Sequence, residues 1–256
     1  MIVRRSAIEL EKLRRSGLLV YQILQDLSGM VIEGVTTQDL EKAAEKMISE
    51  AGAKPAFKGY YTQASGTKYP FVLCTSVNEE VVHGMPSAKR KLKAGDIVSI
   101  DTGVLLNGYY GDSATTVAVG EVNDSVKRLL KITEESLELA IDRVRSGNRL
   151  FDVCGTVEKH VVSHGFSIVR EFVGHGIGTS LHEEPQIPNY VDRRGENPRL
   201  KPGMVLAIEP MVNAGRPDTE VLADKWTAVT QDRSYSAHFE HMVAVTDNGP
   251  WVLTRP

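Results

Sequence analysis

Residues 99–114 read SIDTGVLLNGYYGDSA, and this stretch decides the class of fold. Asn107-Gly108 stands between the apolar run Val104-Leu105-Leu106 and Tyr109-Tyr110. An Asn-Gly pair in that setting is the strongest short-range signal for a two-residue hairpin, whose two turn residues both need positive φ. The turn pairs Leu106 with Tyr109, and counting outward sets Gly103 opposite Asp112 and Asp101 opposite Ala114. Side chains alternate along a strand, so Asp101 and Asp112 project from one face as diagonal neighbours, their β-carbons about 7–8 Å apart. Two carboxylates aimed at one point repel unless a cation lies between them or one keeps its proton. A metal site explains the pair most simply. Taken alone, however, solvated turn acids are the commoner fate, and a bulge at Gly103 or Gly111 would change the facing.

Helical patterns lie on both sides of this hairpin. Ser6 with Glu9 has the spacing of a capping box and opens a helix that runs to about Leu27, before Ser28-Gly29. From Thr37, residues Leu40, Ala43, Ala44, Met47 and Ile48 recur at helical spacing up to Gly52. From Phe71 to Val119 the chain turns to β-branched runs broken by Gly and Asn. The order then repeats. Val126, Leu129, Leu130, Thr133, Leu137, Ile141 and Val144 mark a third helix, and Leu150, Val153, Val157 and Val161 a fourth, with strand-like runs after them. GVTTQDLEKAAEKMISEAG (34–52) and GNRLFDVCGTVEKHVVSHG (147–165) are equal in length and carry Glu-Lys at the same offset. We read a duplicated helix-helix-strands unit, giving one α+β domain over residues 1–256 with a shared central antiparallel sheet and the site between the halves.

The 256 residues, 41% of them hydrophobic, suffice for one sizeable core. Thirty basic and 33 acidic residues leave a formal charge of −3, and the longest basic run is Lys89-Arg90-Lys91. That balance argues against a nucleic-acid or membrane-surface partner. Cys74 and Cys154 form no CxxC pair, which suits a reducing compartment. The opening MIVRRSAIELEKLRR alternates charged with apolar residues rather than forming a signal peptide, so the expected location is cytoplasmic.

Three more candidates follow the hairpin. His175 stands in VGHGIG between Gly174 and Gly176, where the missing side chains would let a bulky ligand approach the imidazole. Glu209 follows the apolar run Val205–Ile208, and Glu240 follows Phe239 just before Met242–Val245. Acids within or at the ends of apolar strands are rarely buried without a partner. Two Asp, two Glu and one His make an oxygen-rich donor set suited to Mn, Fe, Co or Zn, and bridging carboxylates hold two such ions about 3.5–4 Å apart.

GDIVSIDTG with YGDSA, EFVGHGIG with LHEEP, GMVLAIEPMV and AHFEHMVAVT together resemble the type I methionine aminopeptidases of the bacterial kind. The resemblance covers essentially the whole chain. It implies the two-halved "pita-bread" fold and dinuclear metal-dependent removal of the initiator methionine from nascent chains when the second residue is small. It assigns Asp101, Asp112, His175, Glu209 and Glu240 as ligands of two divalent ions (Co, Mn, Fe or Zn). It further assigns His83 and His182 to the scissile bond, and Tyr60, Tyr69, Cys74 and Trp226 to the methionine pocket, with Phe57 and Leu181 nearby; on mechanistic grounds Glu209 is our candidate to carry the proton from the attacking water to the leaving amine. The expected partners are nascent polypeptide N-termini near the ribosome, with no nucleic acid and no membrane, met by a monomer. Leu181, where many relatives have Phe, and the long loop GYYTQASGTKYP bear on the pocket wall. Two other readings compete: a proline-specific peptidase of the same fold, and an inactive binding homologue, whose mark would be a lost ligand.

Overall fold

The computed structural model describes residues 2–256. Four helices carry the scaffold: α1 (Ala7–Gly29), α2 (Thr37–Glu50), α3 (Asp124–Ile141) and α4 (Leu150–Ser163). The capping boxes are as the sequence sets them. The Ser6 side chain accepts from the Glu9 N–H, and the Glu9 carboxylate accepts from the Ser6 N–H; Thr36 and Asp39 repeat the exchange for α2. Each exchange satisfies helix-end donors that would otherwise lack partners.

The first-half strands are β1 (Lys54–Pro55), β2 (Leu73–Val77), β3 (Glu80–Val82), β4 (Ile97–Leu106) and β5 (Tyr109–Ala118). The second half contributes β6 (Ser167–Ile168), β7 (Gly174–Gly176), β8 (Glu183–Ile187), β9 (Val205–Ile208), β10 (Met211–Asn213), β11 (Thr219–Val221), β12 (Ala228–Thr230), β13 (Ser236–His238), β14 (His241–Thr246) and β15 (Gly249–Val252). β4 and β5 pair without interruption from Leu106↔Tyr109 to Ile97↔Ala118, with Gly103 opposite Asp112 and Asp101 opposite Ala114. No bulge intervenes.

The duplication reaches further than the paired glycine frames. α2 and α4 each hold 14 residues. Gly34 and Gly147 open the frames at φ 95° and 94°, and Gly52 and Gly165 close them at 65° and 82°. Gly34 N–H donates to Leu92 O as Gly147 N–H donates to Leu200 O. Glycine turns follow at Gly95 and Gly203, φ 92° and 91°, each leading into a sheet strand, β4 or β9. Asp101 then follows Leu92 at the same interval as Glu209 follows Leu200, so the two acids are internal equivalents.

The central antiparallel sheet is realised as two hydrogen-bonded sheets, one per half. One runs β1-β4-β2 with β5 on β4; the other runs β15-β14-β9-β7-β8. A three-stranded sheet, β13-β10-β6, and the turn from β13 to β14 meet β5 at a seam, where Glu240 N–H donates to Ala114 O at 2.9 Å and the Thr116 hydroxyl donates to His238 O at 2.7 Å. A smaller sheet, β11-β12-β3, also links the halves.

Packing decides which face carries chemistry. Val98, Ile100 and Val104 pack with the apolar residues of α1 and α2, while Leu206 and Ile208 pack with those of α3 and α4. Each fully buried aliphatic side chain contributes about 1.5–3 kcal/mol. With helices on that face, alternation turns Asp101 and Glu209 to the other. α1 reaches β5 by close backbone approach, since a Cβ on Gly111 would lie 2.5 Å from the Ser16 carbonyl carbon, and it reaches the segment after β15 in the same way, at Gly17 against Leu253 O.

Candidate metal centre

Asp101, Asp112, His175, Glu209 and Glu240 line one cavity of about 280 Å³, together with His83, His182, Tyr60, Tyr69, Cys74, Trp226, Phe57 and Leu181. Every residue singled out in the sequence for this site is therefore brought to one place. One carboxylate oxygen each of Asp112 and Glu240 and one His175 ring nitrogen lie within 4.8 Å of one another. His175 Nε2 stands 3.8 Å from Asp112 Oδ2 and 3.6 Å from Glu209 Oε1.

The ring of His175 is oriented by its other nitrogen, which is 2.9 Å from Gly176 O. An Nδ1–H donated there leaves the Nε2 lone pair free for a metal. Gly174 and Gly176 act differently from the sequence expectation. A Cβ on either would lie 2.3 Å from a neighbouring backbone oxygen, Ala207 O or Glu184 O. The glycines admit flanking strands, not a ligand. Glu209 stands just beyond β9, with its backbone carbonyl accepting from the Asn189 amide at 2.9 Å.

Burial is the main electrostatic force here. It raises Asp101 to about 7 and Glu209 to about 8, and lifts Asp112 and Glu240 well above the usual carboxylate range, the latter two pushed further by neighbouring acids. It also lowers His175 to about 3, with His182 adding to the effect. Asp101 Oδ1, Asp112 Oδ1 and Glu240 Oε1 are buried with no hydrogen-bond partner. Buried carboxylate oxygens without donors are costly unless a cation meets them. Four acids and a neutral imidazole converging this way fit divalent metal.

The remaining predicted residues divide into two groups. His182 is exposed, its ring 4.2 Å from that of His175, and its Nδ1 shares a 2.7 Å hydrogen bond with the Tyr60 hydroxyl. His83, at φ 59°, stacks edge-on against Phe172 and Trp226. Tyr69, Cys74 and Trp226 form a buried apolar cluster with Phe57, Tyr60, Phe71 and Met85. The Trp226 indole N–H donates to Thr67 Oγ1 at 3.0 Å, tying this wall to the 59–70 loop. Burial pushes the Cys74 thiol up, so it is a packing group rather than a thiolate nucleophile.

Three contributors escaped the sequence reading. Thr62 also lines the cavity. Glu41, buried in α2, accepts the N–H groups of Val72 and Leu73 at 2.9 and 3.0 Å and so pins the start of the Cys74 strand. His238 stands two residues before Glu240, its Nε2 3.6 Å from Glu209 Oε2. The two-residue spacing from Glu240 carried that signal in strand alternation.

Residues 11–247 match metallopeptidase family M24. The chain belongs to this family. Within it, methionine aminopeptidase 1 of Bacillus subtilis is 47% identical over 255 residues, covering 100% of both chains. The methionine aminopeptidase of Clostridium acetobutylicum is 45% identical and covers 99% of each. The solved methionine aminopeptidase of Thermotoga maritima superposes with a TM-score of 0.94 at 43% identity over 100% of both chains. Prolidase from Pyrococcus furiosus, at 22% identity and TM-score 0.75, matches 99% of this chain but 66% of its own and shares the fold alone. The two-halved architecture is thus the pita-bread fold of M24 peptidases. Among the described residues, no helix is long and apolar enough to cross a membrane.

Proposed function

We propose that this M24 peptidase is a methionyl aminopeptidase that removes the initiator methionine when the second residue is small, using two divalent ions. The observation that carries the metal reading is the set of buried, partnerless oxygens on Asp101, Asp112 and Glu240 beside the free Nε2 of His175. Asp101, Asp112, His175, Glu209 and Glu240 would hold the ions, drawn from Co, Mn, Fe or Zn. When bound, these ions supply Lewis acidity and lower the pKa of water from 15.7 towards about 7.

The chain's own groups do the rest. Glu209 takes a proton from the attacking water and returns it to the departing amine. His182 donates to the developing oxyanion, with its ring held by Tyr60. His83 orients the leaving amide. Tyr69, Cys74 and Trp226, with Tyr60 packed against them, enclose an unbranched thioether, for which sulfur–aromatic contacts are favourable. The substrates are nascent polypeptide N-termini near the ribosome, and the enzyme works in the cytoplasm as a monomer of one catalytic domain. That extension rests on the activity for which the relatives are named.

The test is hydrolysis of Met-Ala-Ser, Met-Leu-Ser and Ala-Pro-Ser by chelator-stripped protein with Mn, Co, Fe or Zn restored. Metal-dependent release of Met from the first peptide alone is the expected result. Cleavage of only the proline peptide would move the chain to a prolidase-like activity, and silence with every metal would favour a binding protein.

A further inference from the structure

His238 is held more firmly than any role in the reaction above requires. It is 2% exposed at the end of β13, and its main chain is clamped on both sides by one hydroxyl. Thr116 Oγ1 accepts from His238 N–H at 2.9 Å and donates to His238 O at 2.7 Å, and Ser99 Oγ lies 2.9 Å from the same hydroxyl. The imidazole is thus carried on a backbone fixed across the seam between the halves.

Its Nε2 is buried without a hydrogen-bond partner and lies 3.6 Å from Glu209 Oε2. The other oxygen of Glu209 lies 3.6 Å from His175 Nε2. One carboxylate therefore stands between two imidazoles, one facing each oxygen. The imidazoles are not equivalent. The contact of His175 Nδ1 with Gly176 O leaves its Nε2 as a lone pair. Among the described residues, no such bond fixes Nδ1 of His238. A lone pair set against carboxylate lone pairs is repulsive, so the favourable tautomer of His238 carries its proton on Nε2. The present separation is too long for a hydrogen bond, and a shift of about half an ångström would make one.

We propose that His238 is a positioning residue for Glu209, donating Nε2–H to Oε2 so that Oε1 stays turned towards His175 and Asp112, and thereby strengthening the binding of one of the two ions. This rests on the two-ion reading given above. Groups that orient a metal-ligating carboxylate change metal affinity by about 10–100-fold when removed.

Chelator-stripped wild type, His238→Ala and His238→Gln are titrated with Mn(II) by calorimetry. Wild type takes up two ions; His238→Ala binds one of them at least ~10-fold more weakly and the other unchanged; His238→Gln, whose amide N–H can still donate to Glu209, recovers most of the loss. In Cd-113-loaded, ¹⁵N-histidine-labelled wild type, His238 Nε2 shows a directly attached proton. Two ions in wild type with identical uptake by His238→Ala overturns the positioning role and leaves the two-ion reading intact. A Cd–¹⁵N coupling at His238 also overturns it, since the imidazole is then a ligand. No ion uptake by wild type defeats both. Should His238→Ala fail to fold, the proton position in wild type and the affinity of His238→Gln carry the test.

Discussion

In the first half of the molecule, the glycine turn at Gly95 leads into β4, and Asp101 sits inside a ten-residue strand paired along its whole length with β5. In the second half, the matching turn at Gly203 leads into β9, which stops at Ile208, one residue short of Glu209. Asp112 likewise lies within β5, whereas Glu240 lies between β13 and β14. The half with the unbroken ladder presents short aspartates, whose backbone is already placed by strand hydrogen bonds. The half whose strands break off presents glutamates, with an extra methylene to span from a strand end. A duplicated scaffold thus delivers acids of two lengths to one point, and the backbone beneath each sets the length.

The largest expected effect comes from breaking the second half's contribution. Glu240→Ala is expected to abolish turnover while the fold is retained, since it removes one of the five residues proposed to hold the ions. Because burial and neighbouring acids penalise the charged Glu240, the metal-stripped variant should melt no lower than metal-stripped wild type at neutral pH. Peptide release assays paired with thermal melts of the stripped proteins check both parts; near-normal turnover would contradict the two-ion assignment.

The two glycine turns sharpen the comparison on stability. Gly95 has nothing within 4 Å of where a Cβ would stand, but a Cβ on Gly203 would lie 2.6 Å from Arg5 O. Gly95→Ala then meets only the strain of positive φ, about 1 kcal/mol, while Gly203→Ala adds displacement of the N-terminal segment and loses about 3 kcal/mol. Urea unfolding of the two variants side by side measures the gap, and equal losses would mean that the Arg5 segment yields freely.

The helices α2 and α4 differ at one matched position, Glu41 against Cys154, each the fifth residue of its helix. Burial raises Glu41 from 4.5 to about 7, partly opposed by the Val72 and Leu73 N–H bonds. Between pH 4.5 and about 7 the folded chain holds a proton that the unfolded chain has released, so this group makes stability fall as pH rises through that window and then level off. Glu41→Gln should flatten the decline by on the order of 2 kcal/mol. Chemical denaturation at pH 5 and pH 7.5 reads it as a difference between wild type and variant, and parallel slopes would remove Glu41 as the source.

The smallest effect concerns the caps. Thr36 offers a side-chain acceptor to α2, while Arg149 at the matching position of α4 offers none. Thr36→Ala should cost about 1 kcal/mol and Arg149→Thr should gain up to about 1 kcal/mol, read as shifts in opposite directions of the melting temperature.

Much of this was legible because it is local. Asn107-Gly108 set the register of β4 and β5, which placed Asp101 and Asp112 on one face. Ser6 with Glu9 marked the start of α1, and the glycine frames around α2 and α4 exposed the duplication. His83 and His182 were singled out only through the motif resemblance, since spacing alone did not separate them from His160, His164, His238 or His241. Glu41 read as one more polar helix position because the amides it meets lie some thirty residues on, at Val72 and Leu73. The glycines flanking His175 were legible as special but not in their purpose, which depends on where Ala207 and Glu184 pass.

By itself the sequence determined the elements, the hairpin register, the repeat and the candidate set of four acids and one imidazole, because turns, caps and alternation act between residues close along the chain. Tertiary structure alone decided that β5 meets the 238–240 segment, that three carboxylates keep oxygens buried without partners, and that His238 faces Glu209. Those facts depend on desolvation and on contacts between segments distant along the chain, more than a hundred residues apart where β5 meets the 238–240 segment, which no local pattern encodes.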